Sequence, residues 1–297
     1  MARTIVYQLG IDIGGTKIAA VLLRKGKTIE SSVLATPKDS LEHFLIMVQA
    51  VIDPLRERAA KDKARIGGIG IGCLGAIDSE NGQVLLARNL PILNKIKLVD
   101  ALRRQLNEPE LPMMIDNDVN CFMRAEALLG AAKGSSNAYG LAIGTGIGGG
   151  WWRDGKIYHG NHGASTEPGH IIIDFDHLLT LEQAYHKMTQ NNAGLLADEA
   201  RRGDLLAEKT FVELGAYLGI ALSNIVNLLS PEIIVLGGGV LASSDLFLKE
   251  ATDAMRQHTY SPAGRSVKLV KGKLGPLAGA IGAALLVPEQ KIEPVKE

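Results

Sequence analysis

A short turn near the start of the sequence combines an acid, two glycines, a hydroxyl and a lysine, in the run Asp12, Ile13, Gly14, Gly15, Thr16 and Lys17. Glycine lets successive backbone N–H groups point toward one anion, and the hydroxyl and the ammonium add a donor and a charge. The Asp12 carboxylate would repel a phosphate unless a divalent cation lay between them, so it fits a magnesium site reached through water. Taken alone, the run is equally compatible with an ordinary hairpin turn.

A second glycine run, residues 144–150, follows an apolar segment and has Thr145 near its start. It has the spacing of a dinucleotide-binding fingerprint, as does the run 70–75, but a fingerprint must open a helix and neither run is followed by a predicted helix. The segment 150–156 approaches a P-loop, but Ile157 stands where a hydroxyl should reach magnesium. We therefore predict a phosphate-binding hairpin loop formed by Gly144, Thr145 and Gly146.

Two carboxylates and an amide, Asp116, Asn117 and Asp118, come directly after a predicted strand. A carboxylate at a strand end that faces a cleft can take a proton from a hydroxyl nucleophile. Asp and Asn are also favoured as helix N-caps, so we expect one of the two Asp residues to serve only as the cap of the next helix.

The histidines are clustered, with five of the seven in one stretch beside three acids: His159, His162, His170, His177 and His186 beside Glu167, Asp174 and Asp176. Such a cluster could hold zinc. The spacings match no standard helical pair of ligands and no cysteine lies nearby, so we favour solvated loop histidines or contacts to a sugar over a structural metal.

The elements that must position these residues follow from the hydrophobic pattern. The first block predicts strands at 5–12, 18–23 and 28–35, a helix capped by Ser40 to about residue 60, a strand at 66–72, a helix at 99–106, a strand at 112–116 and a helix from 119. The second predicts a strand at 138–143, a hairpin turned at 154–155, helices at 192–202 and 206–229, a strand at 233–236 and a helix at 276–286.

Two blocks that each begin with three strands and a glycine turn predict an α/β protein of two similar lobes with a cleft between them. Ligands in such sheets bind beyond the carboxyl ends of the strands. We predict a smaller lobe from residues 1–118 and the C-terminal helix 276–290, and a larger lobe from residues 119–275, with the join near 118–130.

Composition excludes several classes of function. The 297 residues are 46% hydrophobic with a formal net charge of zero, so no bulk field favours nucleic acid or a membrane surface. The apolar stretches fall short of the roughly 18 residues of a membrane span, and no secretory signal is recognisable. Cys73 and Cys121 are too few for a disulfide scaffold and predict buried free thiols in a reducing compartment. We expect a soluble, cytoplasmic protein.

These pieces, in this order, resemble the ROK family of sugar kinases within the actin-like ATPase superfamily. The resemblance extends over residues 9–284 and is carried by the segments 9–18, 70–78, 88–91, 116–120, 144–150, 155–160, 167–170, 181–185 and 236–240. It implies a two-lobed actin-like, ribonuclease H-like ATPase fold in which each lobe is a mixed β-sheet flanked by helices.

The resemblance also implies roles for individual residues. Asp118 matches the catalytic base that deprotonates the sugar hydroxyl attacking the γ-phosphate of ATP, and Asp12 lies where Mg²⁺ is expected. The positions that match sugar-binding residues are Asn89, Asn117, Asp118, Glu167, His170 and Glu182. The positions that match the nucleotide-binding backbone are Gly14, Gly15, Thr16 and Lys17 in the first loop, Gly144, Thr145 and Gly146 in the second, and Gly238 and Gly239 beside the adenosine.

Two departures from the family concern the sugar pocket. Most members have a zinc-binding loop with several cysteines after the Glu-x-Gly-His element, whereas segment 174–180 has no cysteine, so we expect no zinc by that route. Pro168 replaces a more usual aliphatic residue. The orientation of Glu167 and Glu182 must then come from packing. Family members that use polyphosphate also lack the loop, so a phosphate donor other than ATP is a second possibility.

We expect phosphorylation of a hexose by MgATP, with the 6-hydroxyl of glucose favoured over N-acetylglucosamine, N-acetylmannosamine, mannose and fructose. A sugar-sensing regulator and a catalytically silent sugar-binding scaffold are the competing classes. The regulator is disfavoured because the first phosphate loop begins at Asp12, which leaves no room for a DNA-binding module. The expected partner is a small sugar, with no nucleic acid or membrane, and a homodimer is the general expectation for soluble folds.

Overall fold

The computed structural model describes residues 5–161 and 166–288. The chain divides into two compact units. The first contains the residues up to Leu129 and those from Leu274 onward, and the second runs from Gly130 to Lys273, except for a short stretch that begins at Gly160.

The elements of the first half agree closely with the predicted pattern. They are β1 (Ile5–Ile13), β2 (Lys17–Arg24), β3 (Lys27–Ala35), α1 (Leu41–Lys61), β4 (Ala64–Cys73), β5 (Ala76–Asp78), β6 (Gln83–Leu86), a 3-10 helix (Pro91–Leu93), α2 (Leu98–Leu106), β7 (Met113–Asn117) and α3 (Asp118–Leu128).

The second half contains more elements than the pattern predicts. They are β8 (Asn137–Ile143), β9 (Ile147–Arg153), β10 (Lys156–Ile157), a 3-10 helix (Pro168–His170), β11 (Ile172–Asp174), β12 (Leu179–Thr180), α4 (Leu181–Thr189), α5 (Ala193–Arg201), α6 (Leu205–Leu229), β13 (Ile233–Gly237), a 3-10 helix (Gly239–Leu246), α7 (Leu248–His258), a 3-10 helix (Gly264–Ser266), β14 (Lys268–Lys271), a 3-10 helix (Gly275–Leu277) and α8 (Ala278–Ala284). Sequence reasoning did not predict α4, α7 or β14.

Each unit is built on a mixed sheet, and within the described residues both of these sheets have five strands in the same order. The first is β3-β2-β1-β4-β7 and the second is β10-β9-β8-β13-β14. In both, three antiparallel strands continue into two parallel ones. The prediction of an α/β chain with two similar blocks is confirmed.

One face of the first sheet packs on α1 through the buried residues Phe44, Val48 and Ile52. The side chain of Ser40 accepts the backbone N–H of His43 at 3.1 Å and caps α1, as predicted. The other face is covered by α8, which also packs against α3. The division between the units falls between Leu129 and Gly130, after α3, because α3 groups with α8 and the first sheet.

The core of the second unit is organised by α6, whose Phe211, Leu218 and Leu222 pack with Ile234 and Leu236 of β13. By length and composition this helix could cross a membrane, so the expectation that every apolar stretch is too short was wrong. Half of its apolar window is buried inside the protein, where it serves as a core helix. Neither the run 70–75 nor the run 144–150 opens a helix, because β5 follows the first run and β9 begins at Ile147 within the second.

Candidate active site

The first glycine turn joins β1 to β2 as a short hairpin loop. The N–H of Gly14 donates to the carbonyl of Lys17 at 3.0 Å and closes the loop. Thr36, directly after β3, holds the loop from the side: its hydroxyl donates to the carbonyl of Gly14 at 2.8 Å and its N–H donates to the carbonyl of Thr16 at 3.1 Å. Thr16 and Lys17 are exposed. Sequence reasoning missed Thr36, whose position becomes apparent only once β3 is aligned with β2.

Asp12 lies one residue before the end of β1 and keeps partial contact with solvent. Burial raises its pKa to about 7, the nearby carboxylate of Asp118 adds to the increase, and Lys17 opposes it. A methyl group on Gly279 of α8 would lie 2.5 Å from the Oδ2 atom of Asp12, so this carboxylate is packed on a helix backbone. Two neighbouring carboxylates repel each other unless a proton or a cation lies between them, and this arrangement fits a divalent cation.

Asp118 is the first residue of α3, and its neighbour Asn117 is the cap. The side-chain oxygen of Asn117 accepts the N–H groups of Val119 and Asn120 at 2.9 and 3.2 Å. The Asn117 amide also donates to the carbonyl of Gly75 at 3.0 Å. The expectation that one of the two Asp residues serves only as the cap was therefore wrong. Asn117, which lies between them, has the geometry to accept both N–H groups.

Asp116 has a different environment from Asp118 and is almost fully buried. Its Oδ2 atom forms an ion pair with Arg124 at 2.7 Å, and its Oδ1 atom accepts from the side chain of Asn120 at 2.9 Å and from the N–H of Asn117 at 2.8 Å. These contacts tie the end of β7 to the first turns of α3. Asp116 thus helps to fix the helix start at which Asp118 lies.

Asn89 lies beside the first loop in the same unit. A methyl group on Gly15 would lie 3.5 Å from the Cβ atom of Asn89, which is an ordinary packing distance, and Asn89 itself is exposed. The first unit therefore brings together these sequence-predicted residues: Asp12, Gly14, Gly15, Thr16, Lys17, Asn89, Asn117 and Asp118.

The second glycine turn joins β8 to β9 and has the predicted hairpin form. The N–H of Gly144 donates to the carbonyl of Gly146 at 2.9 Å, and Thr145 is exposed. Gly238 has a φ of +87°, and a methyl group there would overlap the backbone of Ile143 at the end of β8. The turn at Gly238 and Gly239 therefore packs directly against the start of the second loop.

Glu182, expected at the sugar, also contacts the second loop. Its Oε2 atom accepts the N–H of Ile147, the first residue of β9, at 2.7 Å. A methyl group on Gly146 would lie 2.9 Å from the same oxygen, so a side chain at that position would crowd the carboxylate. Sequence reasoning found the residue but not this contact.

The short 3-10 helix after Glu167 is packed onto β9 through glycines. A methyl group on Gly149 would lie 2.8 Å from the ring of Pro168, and one on Gly169 would lie 2.5 Å from the carbonyl oxygen of Ile147. Close backbone packing thus orients this helix, in which Glu167 and His170 are exposed. Pro168, the departure from the family pattern, is part of that packing.

The described histidines of the cluster include two with separate surroundings. His177 pairs with Asp174 at 2.9 Å, and the hydroxyl of Tyr217 donates to the same carboxylate at 3.3 Å. His186 lies edge-on to Tyr185 with ring centroids 5.4 Å apart, and His162 lies outside the described residues. In the part of the chain that the structure describes, no three His, Cys, Asp or Glu residues are grouped to hold a metal ion.

Comparison with known proteins identifies the family. The profile of the ROK family matches residues 8–180 and 179–290, so the chain belongs to the ROK family. It is 31% identical over 307 residues to the N-acetylgalactosamine kinase of Shewanella sp. strain ANA-3, covering 93% of this chain and 95% of that protein. It is 28% identical over 331 residues to the glucokinase of Halalkalibacterium halodurans, covering 96% of both chains.

The fold is likewise that of a solved member of the family. The crystal structure of a ROK family glucokinase from Streptomyces griseus in complex with glucose and AMPPNP superposes with a TM-score of 0.79 at 27% identity, covering 95% of this chain and 99% of the other. The chain therefore has the α/β fold of the ROK kinases, with mixed sheets flanked by helices.

Proposed function

We propose that this protein is an ATP-dependent sugar kinase that transfers the γ-phosphate of MgATP to a hexose, with the 6-hydroxyl of glucose as the favoured acceptor. The observation that carries the proposal is the position of Asp118, whose charge acts on Asp12 next to the hairpin loop of Gly14 to Thr16. A carboxylate base close to a loop of phosphate-binding N–H groups is the arrangement that phosphoryl transfer to a hydroxyl needs.

In the first unit, Asp118 accepts the proton of the attacking sugar hydroxyl, and its position at the start of α3 is fixed by the contacts of Asp116 and Asn117. Asn89 and the free N–H of the Asn117 amide are donors for sugar hydroxyls. The loop N–H groups and Lys17 hold phosphate oxygens. Such a site accelerates the reaction mainly by positioning and by neutralising charge.

In the second unit, the residues assigned to phosphate and adenosine are Gly144, Thr145, Gly146, Gly238 and Gly239, and those assigned to the sugar are Glu167, His170 and Glu182. Support comes from the packing of both glycine turns against the end of β8, and of the 3-10 helix against β9.

Asp12 is the residue that would hold Mg²⁺, through water. Support comes from the close packing of its carboxylate on Gly279 and from its pKa, which burial and the charge of Asp118 raise to about 7. When bound, the cation neutralises phosphate charge that Asp12 and Asp118 would otherwise repel.

The decisive experiment is a coupled ADP-release screen with ATP over glucose, N-acetylglucosamine, N-acetylmannosamine, mannose and fructose, with a parallel assay of sugar phosphate formed from polyphosphate. We expect turnover with ATP and the highest kcat/KM with glucose. Activity with another sugar or with polyphosphate alone would replace the substrate assignment. No turnover with any pair would overturn the kinase proposal, and sugar binding without turnover would favour a sensor.

A further inference from the structure

We propose that Glu182 is a positioning residue that couples sugar binding to the second phosphate loop, with one carboxylate oxygen for each. The inference rests on the proposed kinase function. It concerns only the second unit, and it assigns to Glu182 a second role besides contact with the sugar.

The two oxygens of Glu182 have different surroundings. Oε2 accepts the N–H of Ile147 at 2.7 Å, at the residue where the loop 144–146 enters β9. Oε1 has no hydrogen bond to any described residue. A carboxylate oxygen can accept about two hydrogen bonds, so Oε1 is available to a sugar hydroxyl while Oε2 stays on the loop.

Two glycines lie next to the Glu182 carboxylate, and their lack of a side chain leaves room for it. A methyl group would lie 2.9 Å from Oε2 if placed on Gly146, and 3.4 Å from it if placed on Gly169. Gly146 is part of the phosphate loop, and Gly169 belongs to the 3-10 helix that follows Glu167 and ends at His170. Glu182 therefore lies where the phosphate loop meets the helix that carries the other two sugar candidates of this unit.

The start of α4 holds the Glu182 backbone firmly. Thr180 and Gln183 form a reciprocal capping box, in which the Thr180 hydroxyl accepts the N–H of Gln183 at 3.3 Å and the Gln183 side chain accepts the N–H of Thr180 at 3.0 Å. The adjacent Leu181 is buried, and its N–H donates to the carbonyl of Ile171 at 3.0 Å. Because the backbone of Glu182 is held firmly, a hydrogen bond to Oε1 restricts the position of Oε2 and so affects the bond that Oε2 accepts.

A sugar hydroxyl that donates to Oε1 restricts the carboxylate and, through Oε2, the entry of the loop into β9. The loop is then ordered before the nucleotide arrives, so the two ligands bind more tightly together than separately. Because linkage is reciprocal, the nucleotide must strengthen sugar binding by the same factor.

The test compares Glu182→Gln with Glu182→Ala in the full chain. The glutamine carbonyl can still accept the N–H of Ile147, but its amide group replaces the acceptor that faces the sugar. Alanine removes both. We measure by calorimetry the Kd of AMPPNP with and without saturating glucose, or whichever sugar is turned over. We expect wild type and Glu182→Gln to bind AMPPNP alike without sugar, and Glu182→Ala to bind it about tenfold more weakly, as for the loss of a hydrogen bond to a charged acceptor.

The enhancement of AMPPNP binding by the sugar is the second readout. We expect it in wild type, reduced in Glu182→Gln and absent in Glu182→Ala. Lys187→Ala, an exposed change on the same helix, is the control for the stability of α4 and should match wild type. Equal nucleotide Kd values in Glu182→Ala and wild type, or undiminished enhancement by the sugar, would overturn the inference. If no sugar is turned over, the proposed function fails, but the sugar-free Kd values still test the contact with the loop.

Discussion

The two mixed sheets share one strand order but differ in the chemistry at their hairpin ends. One residue before the end of β1 stands Asp12, paired with Ala19, whereas the matching position of β8 is Ala142, paired with Gly148. The fifth strand of the first sheet leads into Asp118, whereas that of the second ends at Lys271. The same scaffold thus places a carboxylate at this position of the first sheet and an apolar residue at the matching position of the second.

The sheets also differ in how helices cover them. A methyl group on Gly10 would overlap the carbonyl oxygen of Ala280, and one on Gly70 would overlap that of Ala283, so α8 packs backbone to backbone on β1 and β4. The second sheet is instead covered by large side chains of α6, such as Phe211. Close backbone approach leaves little room for a larger residue at the contact between α8 and the first sheet.

The largest expected effect is on catalysis in the first unit. Asp118→Asn keeps the size of the side chain but removes the base, so we expect kcat to fall about a thousandfold while the KM of the sugar changes little. Steady-state kinetics with the best sugar from the screen checks this. Asp253→Asn, an exposed change in the second unit, should retain activity. A kcat for Asp118→Asn close to that of wild type would refute the assignment of the base.

The next effect is on stability and compares a crowded glycine with an open one. Gly70→Ala forces a methyl group into the backbone of α8, and we expect a loss of about 3 kcal/mol in the free energy of unfolding. Gly144→Ala is the matched control, because, its chain neighbours apart, no heavy atom of the described residues lies within 4 Å of the position where the methyl group would stand. Urea unfolding of the two variants measures the difference, and equal losses would contradict the close packing of α8 on β4.

Gly144→Ala should affect function even though the fold tolerates it. Among the described residues no neighbouring atom requires glycine at this place, so the close neighbour we expect is a phosphate oxygen on the loop N–H groups. We expect the KM of ATP to rise about tenfold, with kcat and the urea midpoint nearly unchanged. An unchanged KM would show that the second loop does not approach the nucleotide closely.

The sequence predicted those features that depend on near neighbours. Both hairpin loops, the Ser40 cap and most strands follow from local periodicity and turn chemistry, and their structures agree. The sequence could not predict the hydrogen bond from Ile147 to Glu182, because this bond joins residues far apart in the chain. The choice of Asn117 as the cap failed for a related reason: three consecutive residues have similar capping propensity, and only their geometry distinguishes them.

The smallest expected effect is on stability at Asp12 and depends on pH. Burial first and the charge of Asp118 second raise its pKa to about 7, whereas an unfolded chain has an Asp pKa of about 3.9. Between these values the folded state binds more protons, so this carboxyl costs stability as the pH rises, and the full cost is present above about pH 7.

Asp12→Asn removes the charge. In EDTA at about pH 8 we expect the variant to be more stable than wild type by about 1 kcal/mol, less than the full pKa shift implies because the side chain keeps contact with solvent. The gain should vanish below about pH 4, where wild type is protonated in both states. Urea unfolding at several pH values measures it, and a gain independent of pH would mean that packing against Gly279, rather than charge, limits the stability of the acidic site.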